Sequence, residues 1–322
     1  MEGNYSSIRT AMEKVSLVVT VKNEECSILE LLESISASTR LPDELICVDG
    51  GSTDKTVGKI GLYGQTHPAF PIRILLRKGN IAVGRNAGIK AAKHTIIAVT
   101  DAGCTVDKQW LERLSAPFSD KVIDVVAGFY TPIGDSFLQK CMGVYTSTMP
   151  DILDPETFLP SSRSIAFKKS AWKKVGGYPV HLDTAEDLMF ARALKKADTK
   201  FHMVKDAIVL WPQRSTWKSA FLQFFRYAQG DGKAAYFRPQ TPFLVLRCLL
   251  GLATLLYALY SPNPGLQIVS LYMCVYYIFS VMKNWRYVPE WRALLYLPAV
   301  QLVSDVAVAS GMIVGTIQRY DL

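Results

Sequence analysis

The residues best suited to chemistry are acids that stand where an apolar run stops. In "AVTDAGCTV", residues 98–106, Asp101 closes an apolar run. A strand that delivers one carboxylate to its C-terminal edge is placed to hold something charged, because a buried carboxylate is costly unless paired. Gly103 stands where a metal-gripping pair would want its second acid. Two more acids, Glu186 and Asp187, lie in "DTAEDLMFARALKK", which reads as a helix starting near Thr184 with acids in its first turn and lysines at its end, as the macrodipole favours. They admit two readings. Thr184 with Asp187 three residues on approximates a capping box, and an ionised carboxylate there can also serve as a general base. A third cluster, "DGGSTD" at 49–54, offers Asp49 and a glycine turn in which Ser52 or Thr53 can cap the next helix. No GKS or GKT follows and no GxGxxG is present, so it is neither a P-loop nor a dinucleotide fingerprint.

The elements that must carry these residues alternate. "VSLVVTV", "ELICVD", "IRILLR", "TIIAVTD" and "VIDVVAG" are strand-length apolar runs. Between them lie helical segments: "SILELLESISAS", a short helix after the glycine turn, "VGRNAGIKAAKH" with Ala at tight-packing positions, and residues 107–117. Such alternation predicts an α/β fold, Rossmann-like, with a mostly parallel sheet and helices on both faces. Ligands in such folds bind at the carboxyl ends of strands. That rule puts "TVKNEE", "DGGSTD" and "DAGC" on one rim, the natural place for a nucleotide.

The apolar residues are unevenly spread. Residues 242–260, 264–282 and 294–315 are each almost free of charge and about as long as a bilayer-spanning helix needs, which predicts three transmembrane helices. The loop "KNWRYVPEWR" between the second and third carries Lys283, Arg286 and Arg292 with flanking aromatics, whereas "SPN" carries no charge. The positive-inside bias then puts the long loop and the N-terminal region in the cytoplasm. "MEGNYSSIRTAMEK" is polar, unlike a signal peptide. Residues 215–233 place Trp217, Ala220, Phe221, Phe224, Phe225 and Ala228 on one helical face, with Lys218, Gln223, Arg226 and Gln229 opposite, as in a helix lying in a membrane interface. The expected organisation is a cytoplasmic domain at 1–212, an interfacial helix and linker at 213–241 and a membrane domain at 242–322. Asp305 inside the third span must face other helices, and Arg247 of the first is a partner of opposite charge. Six cysteines without a CxxC pair fit reduced thiols. The net charge of +8 comes without a nucleic-acid-binding signature, so it is assigned to the membrane surface and to anionic phosphorylated ligands.

Six segments in order, "VSLVVTVKNEECSILELLESI", "ELICVDGGSTDKT", "GNIAVGRNAGIKAA", "IIAVTDAGC", "SSRSIAFKKSAWKKVGGYP" and "TAEDLMFARAL", resemble the inverting family 2 glycosyltransferases of the GT-A fold, in a membrane-anchored form. The resemblance covers about residues 15 to 230. It implies a UDP- or GDP-linked sugar donor, a divalent cation (Mg2+ or Mn2+), and displacement with inversion at the anomeric carbon. The family's first-strand motif falls on Thr20, Val21, Asn23 and Glu24 beside the nucleoside, with Thr20 where proline is frequent. Asp49 falls at the base or ribose, with Gly50 replacing a frequent second acid. Arg85 and Asn86 fall on the nucleotide side, while Asp101 and Ala102 fall in the DxD motif, Asp101 as metal ligand. Gly103 departs from that motif and implies a weaker or more substrate-dependent metal site. Gly176 and Gly177 match the turn on the acceptor side, Asp187 the catalytic base, and Glu186 a support for the acceptor or the loop. A lipid-linked or glycan acceptor at the cytoplasmic face follows as the expected partner. "PQRSTW" does not meet the QxxRW motif of polymerising members, which disfavours a polysaccharide-elongating synthase. A scaffold that kept the pocket without catalysis is the reading from another class. The segment 129–160 carries no recognisable motif.

Overall fold

The computed structural model describes residues 13–67 and 69–320; the polar stretch 1–12 lies outside the described residues. The chain divides into two compact units. One comprises the residues up to Thr131, Pro155–Val180 and Asp187–Trp211, and the other Pro132–Asp154, His181–Glu186 and the residues from Pro212.

The first unit begins β1 (Val15–Val21), α1 (Ile28–Ser36), β2 (Glu44–Asp49), α2 (Thr56–Thr66), β3 (Ile72–Leu76), α3 (Ile81–Ala91) and β4 (Ile96–Asp101). It continues with β5 (Thr105–Val106), α4 (Trp110–Ser115) and β6 (Val125–Ile133). After α5 (Phe137–Thr146), which belongs to the second unit, come β7 (Ile165–Lys168), α6 (Lys169–Lys174), α7 (Glu186–Lys196) and β8 (Phe201–Pro212). The sheet runs β3-β2-β1-β4-β7-β6-β8-β5. β3, β2, β1 and β4 pair in parallel, and β7 runs antiparallel to both β4 and β6. The inner parallel strands β1, β2 and β4 are buried along nearly their whole length because both faces are covered, whereas the edge strand β3 carries Arg73 and is only partly buried. Val15, Leu17, Val19 and Val21 of β1 join the core beneath α1 and α4, while Val18 joins Ile46, Val48 and Ile89 on the α3 side. Glycine, more than alanine, makes that second packing tight: a Cβ on Gly88 would lie 2.6 Å from Val18 Cγ1 and 2.9 Å from Val48 Cγ2. The curled, half-parallel sheet with helices on both faces is a GT-A-like α/β fold.

The second unit is helical: α5, α8 (Trp217–Lys233), α9 (Thr241–Tyr260), α10 (Pro262–Met282) and α11 (Ala293–Tyr320). Three apolar helices, Thr241–Tyr260, Pro262–Tyr287 and Ala293–Tyr320, are long and apolar enough to cross a membrane, with mean hydropathies of 2.0, 1.6 and 1.7. α9 and α10 leave large side chains such as Leu256, Leu259 and Leu271 bare, as surfaces meant for lipid do. The apolar stripe of α8 is not bare. Ala220 and Phe224 pack with Leu297, Val300 and Ala307 of α11, and Gln229, placed on the polar face by periodicity, donates its amide to Gln318 of α11 at 2.9 Å. Residues 137–146, to which no motif pointed, form α5, and its Ser136–Gln139 capping box starts it. The charge pairing foreseen within the apolar helices is present. Arg247 donates to both oxygens of buried Asp305, at 2.7 and 3.2 Å, and Tyr276 Oη and Gln301 Nε2 complete the carboxylate's partners.

Candidate active site

Two rim loops at the carboxyl ends of β1 and β2 are laced together by short polar side chains. Asn23 adopts a left-handed backbone (φ 56), its Oδ1 accepts the Thr53 N–H at 2.8 Å, and its own N–H donates to Ser52 Oγ at 2.9 Å. The Glu24 N–H donates to Thr56 Oγ1 at 2.8 Å. Asp49, 3% exposed, turns its carboxylate back into the glycine turn, where it accepts from the N–H groups of Gly51 and Ser52 and from the Ser52 hydroxyl. Gly51 needs its lack of a side chain there, since its φ is +97. The N-cap of α2 is Lys55 and not Ser52 or Thr53, and Asp54 just before it accepts from Thr56 N at 3.0 Å. These contacts occupy Asp49 in shaping the loop. Thr20 and Val21 end β1, and Asn23 belongs to the lacing that follows it.

Asp101 lies at the end of β4, the next parallel strand, on the side of the sheet that carries α3. The buried guanidinium of Arg85 on α3 donates to Asp101 Oδ1 at 2.7 Å. A second guanidinium, Arg163, lies 3.8 Å from the other oxygen. It is stacked 3.8 Å from the Trp211 ring centroid and also faces Tyr130, a placement that planar arginine takes more readily than lysine. Arg163 Nη1 donates to Ser161 Oγ at 3.0 Å, and Ser161 donates onward to Asp187 Oδ2 at 2.9 Å. The Leu188 N–H donates to Asp187 Oδ1. Asp101 and Asp187, far apart in sequence, are thus tied into one charge cluster by Arg85, Arg163 and Ser161.

Burial pushes the Asp187 carboxyl up, but the positive charges of Arg85 and Arg163, with the Ser161 and Leu188 hydrogen bonds, outweigh it. The net effect holds Asp187 below the usual carboxylate range. Thr184 donates its hydroxyl to the Arg226 carbonyl. Glu186 before Asp187 is buried and follows Ala185, whose φ of 64 is rare for a residue with a Cβ.

Asn86, expected on the nucleotide side, spends its amide elsewhere. Its Oδ1 accepts from Trp172 Nε1 and Tyr178 N, and its Nδ2 donates to Tyr178 O. It fastens the Gly176–Gly177 turn, where both glycines have positive φ (77 and 84) and a Cβ on Gly177 would lie 2.7 Å from Asn86 Oδ1. Ala102 is buried against the core under the rim and offers only main chain. Arg163 was not singled out from the sequence. Its signal was a lone arginine between small polar residues at the mouth of a strand, in "SSRSIAF".

Among the described residues no three His, Cys, Asp or Glu side chains cluster as a metal site. The donor set nevertheless suits a cation that completes its shell with ligand oxygens and water. Asp101 supplies a hard carboxylate, and a Cβ on Gly103 would meet only Glu24 Oε2, at 3.8 Å, so a second carboxylate stands beside the position that lacks one. Burial, then the charge of Asp101, pushes the Cys104 thiol up to about 12.

The rim thus joins laced loops to two carboxylates, Asp101 and Asp187, set among two guanidiniums on a GT-A-like α/β fold. The family model described as glycosyl transferase family 2 matches residues 16–176. The chain belongs to that family and is a glycosyltransferase. It is 24% identical over 205 residues to glycosyltransferase AglE of Haloferax volcanii, covering 62% of this chain and 67% of that one. It is 25% identical over 224 residues to the O-antigen chain rhamnosyltransferase RfbN of Salmonella typhimurium, covering 66% and 70%. The fold is also that of the mannosyltransferase PcManGT from Pyrobaculum calidifontis, solved with GDP-Man and Mn2+. The TM-score is 0.57 at 18% identity, over 97% of this chain and 88% of that one.

Proposed function

We propose that the chain is a membrane-anchored, inverting glycosyltransferase. It takes a sugar from a UDP- or GDP-linked donor, with Mg2+ or Mn2+, and passes it to a lipid-linked or glycan acceptor at the cytoplasmic face. The observation that carries this reading is the cluster in which Arg85 and Arg163 hold Asp101 while keeping Asp187 ionised. Asp187 would take the proton of an acceptor hydroxyl as that oxygen bonds to the anomeric carbon. The nucleoside diphosphate leaves from the opposite face with the electron pair of the broken bond. Single displacement of this kind inverts the carbon. The bound cation would offset charge on the departing diphosphate, held by Asp101. Arg85 and Arg163 orient both carboxylates, and Glu186 supports the loop that presents Asp187. The names of the two relatives and the GDP-Man and Mn2+ of the mannosyltransferase support a nucleotide-sugar donor and an envelope glycan product. Three apolar helices and the basic, aromatic loop between the second and third support a multi-pass anchor with the catalytic region cytoplasmic. Helix α8, amphipathic and paired with α11, is the join.

Calorimetric titration of the detergent-solubilised chain with UDP and GDP, with and without Mn2+, tests the donor site. One nucleotide should bind in a Mn2+-dependent manner, and Asp101→Ala should lose that binding. Binding of neither nucleotide to folded protein would remove the reading.

A further inference from the structure

The rim carboxylates differ in what balances their charge. Asp101 has two guanidiniums, and Asp187 has the same two nearby. Glu24 is half-buried at the end of β1, and its side chain takes a hydrogen bond from the Ser27 hydroxyl alone, with no cationic partner among the described residues. Its position is fixed by the backbone. The Glu24 N–H is bound to Thr56 Oγ1, and its carbonyl accepts the N–H groups of Ser27 and Ile28 where α1 begins. An unbalanced carboxylate beside a bound diphosphate repels it unless a cation stands between them. The space for one exists: apart from Glu24 Oε2 at 3.8 Å, nothing lies within 4 Å of a Cβ on Gly103.

We infer that Glu24 is the second protein carboxylate for the divalent cation of the donor site, reaching from the β1 loop into the place where residue 103 offers no side chain. The inference rests on the donor-site reading above. It gives Gly103 a positive reason: an aspartate there would project its charge toward Glu24, and two carboxylates so close repel in the metal-free protein. The loop lacing around Asn23, Ser52 and Thr56 then acts as the support that keeps Glu24 in range.

The test uses the full chain in detergent, with two readouts besides turnover. One is calorimetry of the nucleotide that the wild type binds, with and without Mn2+; the other is the loss of the free Mn2+ electron paramagnetic resonance signal on adding protein and nucleotide. Glu24→Gln should lower the Mn2+-dependent gain in nucleotide affinity by tenfold or more and leave metal-free affinity within twofold. The pair Glu24→Gln with Gly103→Asp should recover most of the gain, since the carboxylate returns from the neighbouring strand. An unchanged Mn2+ gain in Glu24→Gln overturns the inference. So does an equal loss without metal, which marks a nucleoside contact, and so does a loss that Gly103→Asp fails to recover. Wild type that binds neither nucleotide fails at the donor site itself, a result distinct from all three.

Discussion

Asp187 combines two properties that seldom meet, partial burial and an ionised state. Guanidiniums on either side reconcile them. A base held below the usual carboxylate range is fully ionised at neutral pH, so its weakness as a proton acceptor is offset by constant availability. Asp187→Asn keeps the shape and removes the base. Turnover should fall by roughly 10²- to 10⁴-fold while nucleotide affinity stays within twofold, which a radiolabelled-sugar transfer assay beside calorimetry would measure. The pH dependence follows from the same cluster. The folded carboxyl is depressed, so the deprotonated form survives acidification to below about pH 4, where an ordinary aspartate titrates. The stabilisation it brings is present above the unfolded value and is lost only as pH falls through the folded one. Arg163→Gln removes one positive charge and the hydroxyl relay through Ser161, so the acid limb of kcat/KM should move upward in pH. An acid limb that stays in place would show that Arg163 does not set the state of Asp187. Each acid was legible alone in the sequence, as the end of an apolar run and as the start of a helix. Their coupling was not, because it passes through Arg163, an arginine with no local pattern to mark it.

At the scale of elements, the strands β1 and β2 were legible to the residue because parallel strands buried on both faces are unbroken apolar runs between polar turns. β7 and β8 were not. β7 is four residues long, and β8 carries Lys205 and Asp206 in mid-strand, both exposed. The antiparallel insertion of β7 beside β4 is a long-range choice that no local period encodes. Helix α5 had a readable start in its Ser136–Gln139 capping box, but the Gly, Tyr and Thr that follow blur its helical stripe. The pairing of α8 with α11 was hidden for a different reason: an amphipathic stripe looks the same whether lipid or another helix covers it. Small residues mark the difference. A Cβ on Gly311 would lie 2.3 Å from the Phe225 carbonyl oxygen, and one on Gly315 would lie 2.1 Å from that of Gln229. These obstacles are backbone atoms that cannot rotate away, so the spacing GxxxG sets the distance between the helices. Gly315→Ala should cost about 1–3 kcal/mol, as overpacking does, and lower the thermal midpoint in detergent. A midpoint equal to wild type would show that the two helices are not so closely apposed.

For the molecule as a whole, the charged pair inside the apolar helices is the feature a membrane makes most consequential. Arg247 on α9 and Asp305 on α11 would each be expensive in hydrocarbon alone. Together, with Tyr276 of α10 and Gln301, they form a neutral, hydrogen-bonded knot joining all three helices. The partnership was legible in the sequence because a membrane segment leaves so few places for a charge to go. The knot locates the helices relative to one another where apolar packing against lipid-like side chains supplies little preference. Removing one partner strands the other, so Arg247→Leu and Asp305→Leu should each destabilise the chain by roughly 3–5 kcal/mol. The double substitution leaves no unpaired charge and should recover most of that loss, because a well-packed apolar replacement of a buried pair is often neutral. Denaturant titration of the four proteins in detergent closes the cycle, and the coupling between the two sites should account for most of either single loss. Additive losses would mean that the pair is separated in the lipid-like environment. The apolar helices would then be held together by their small-residue contacts alone.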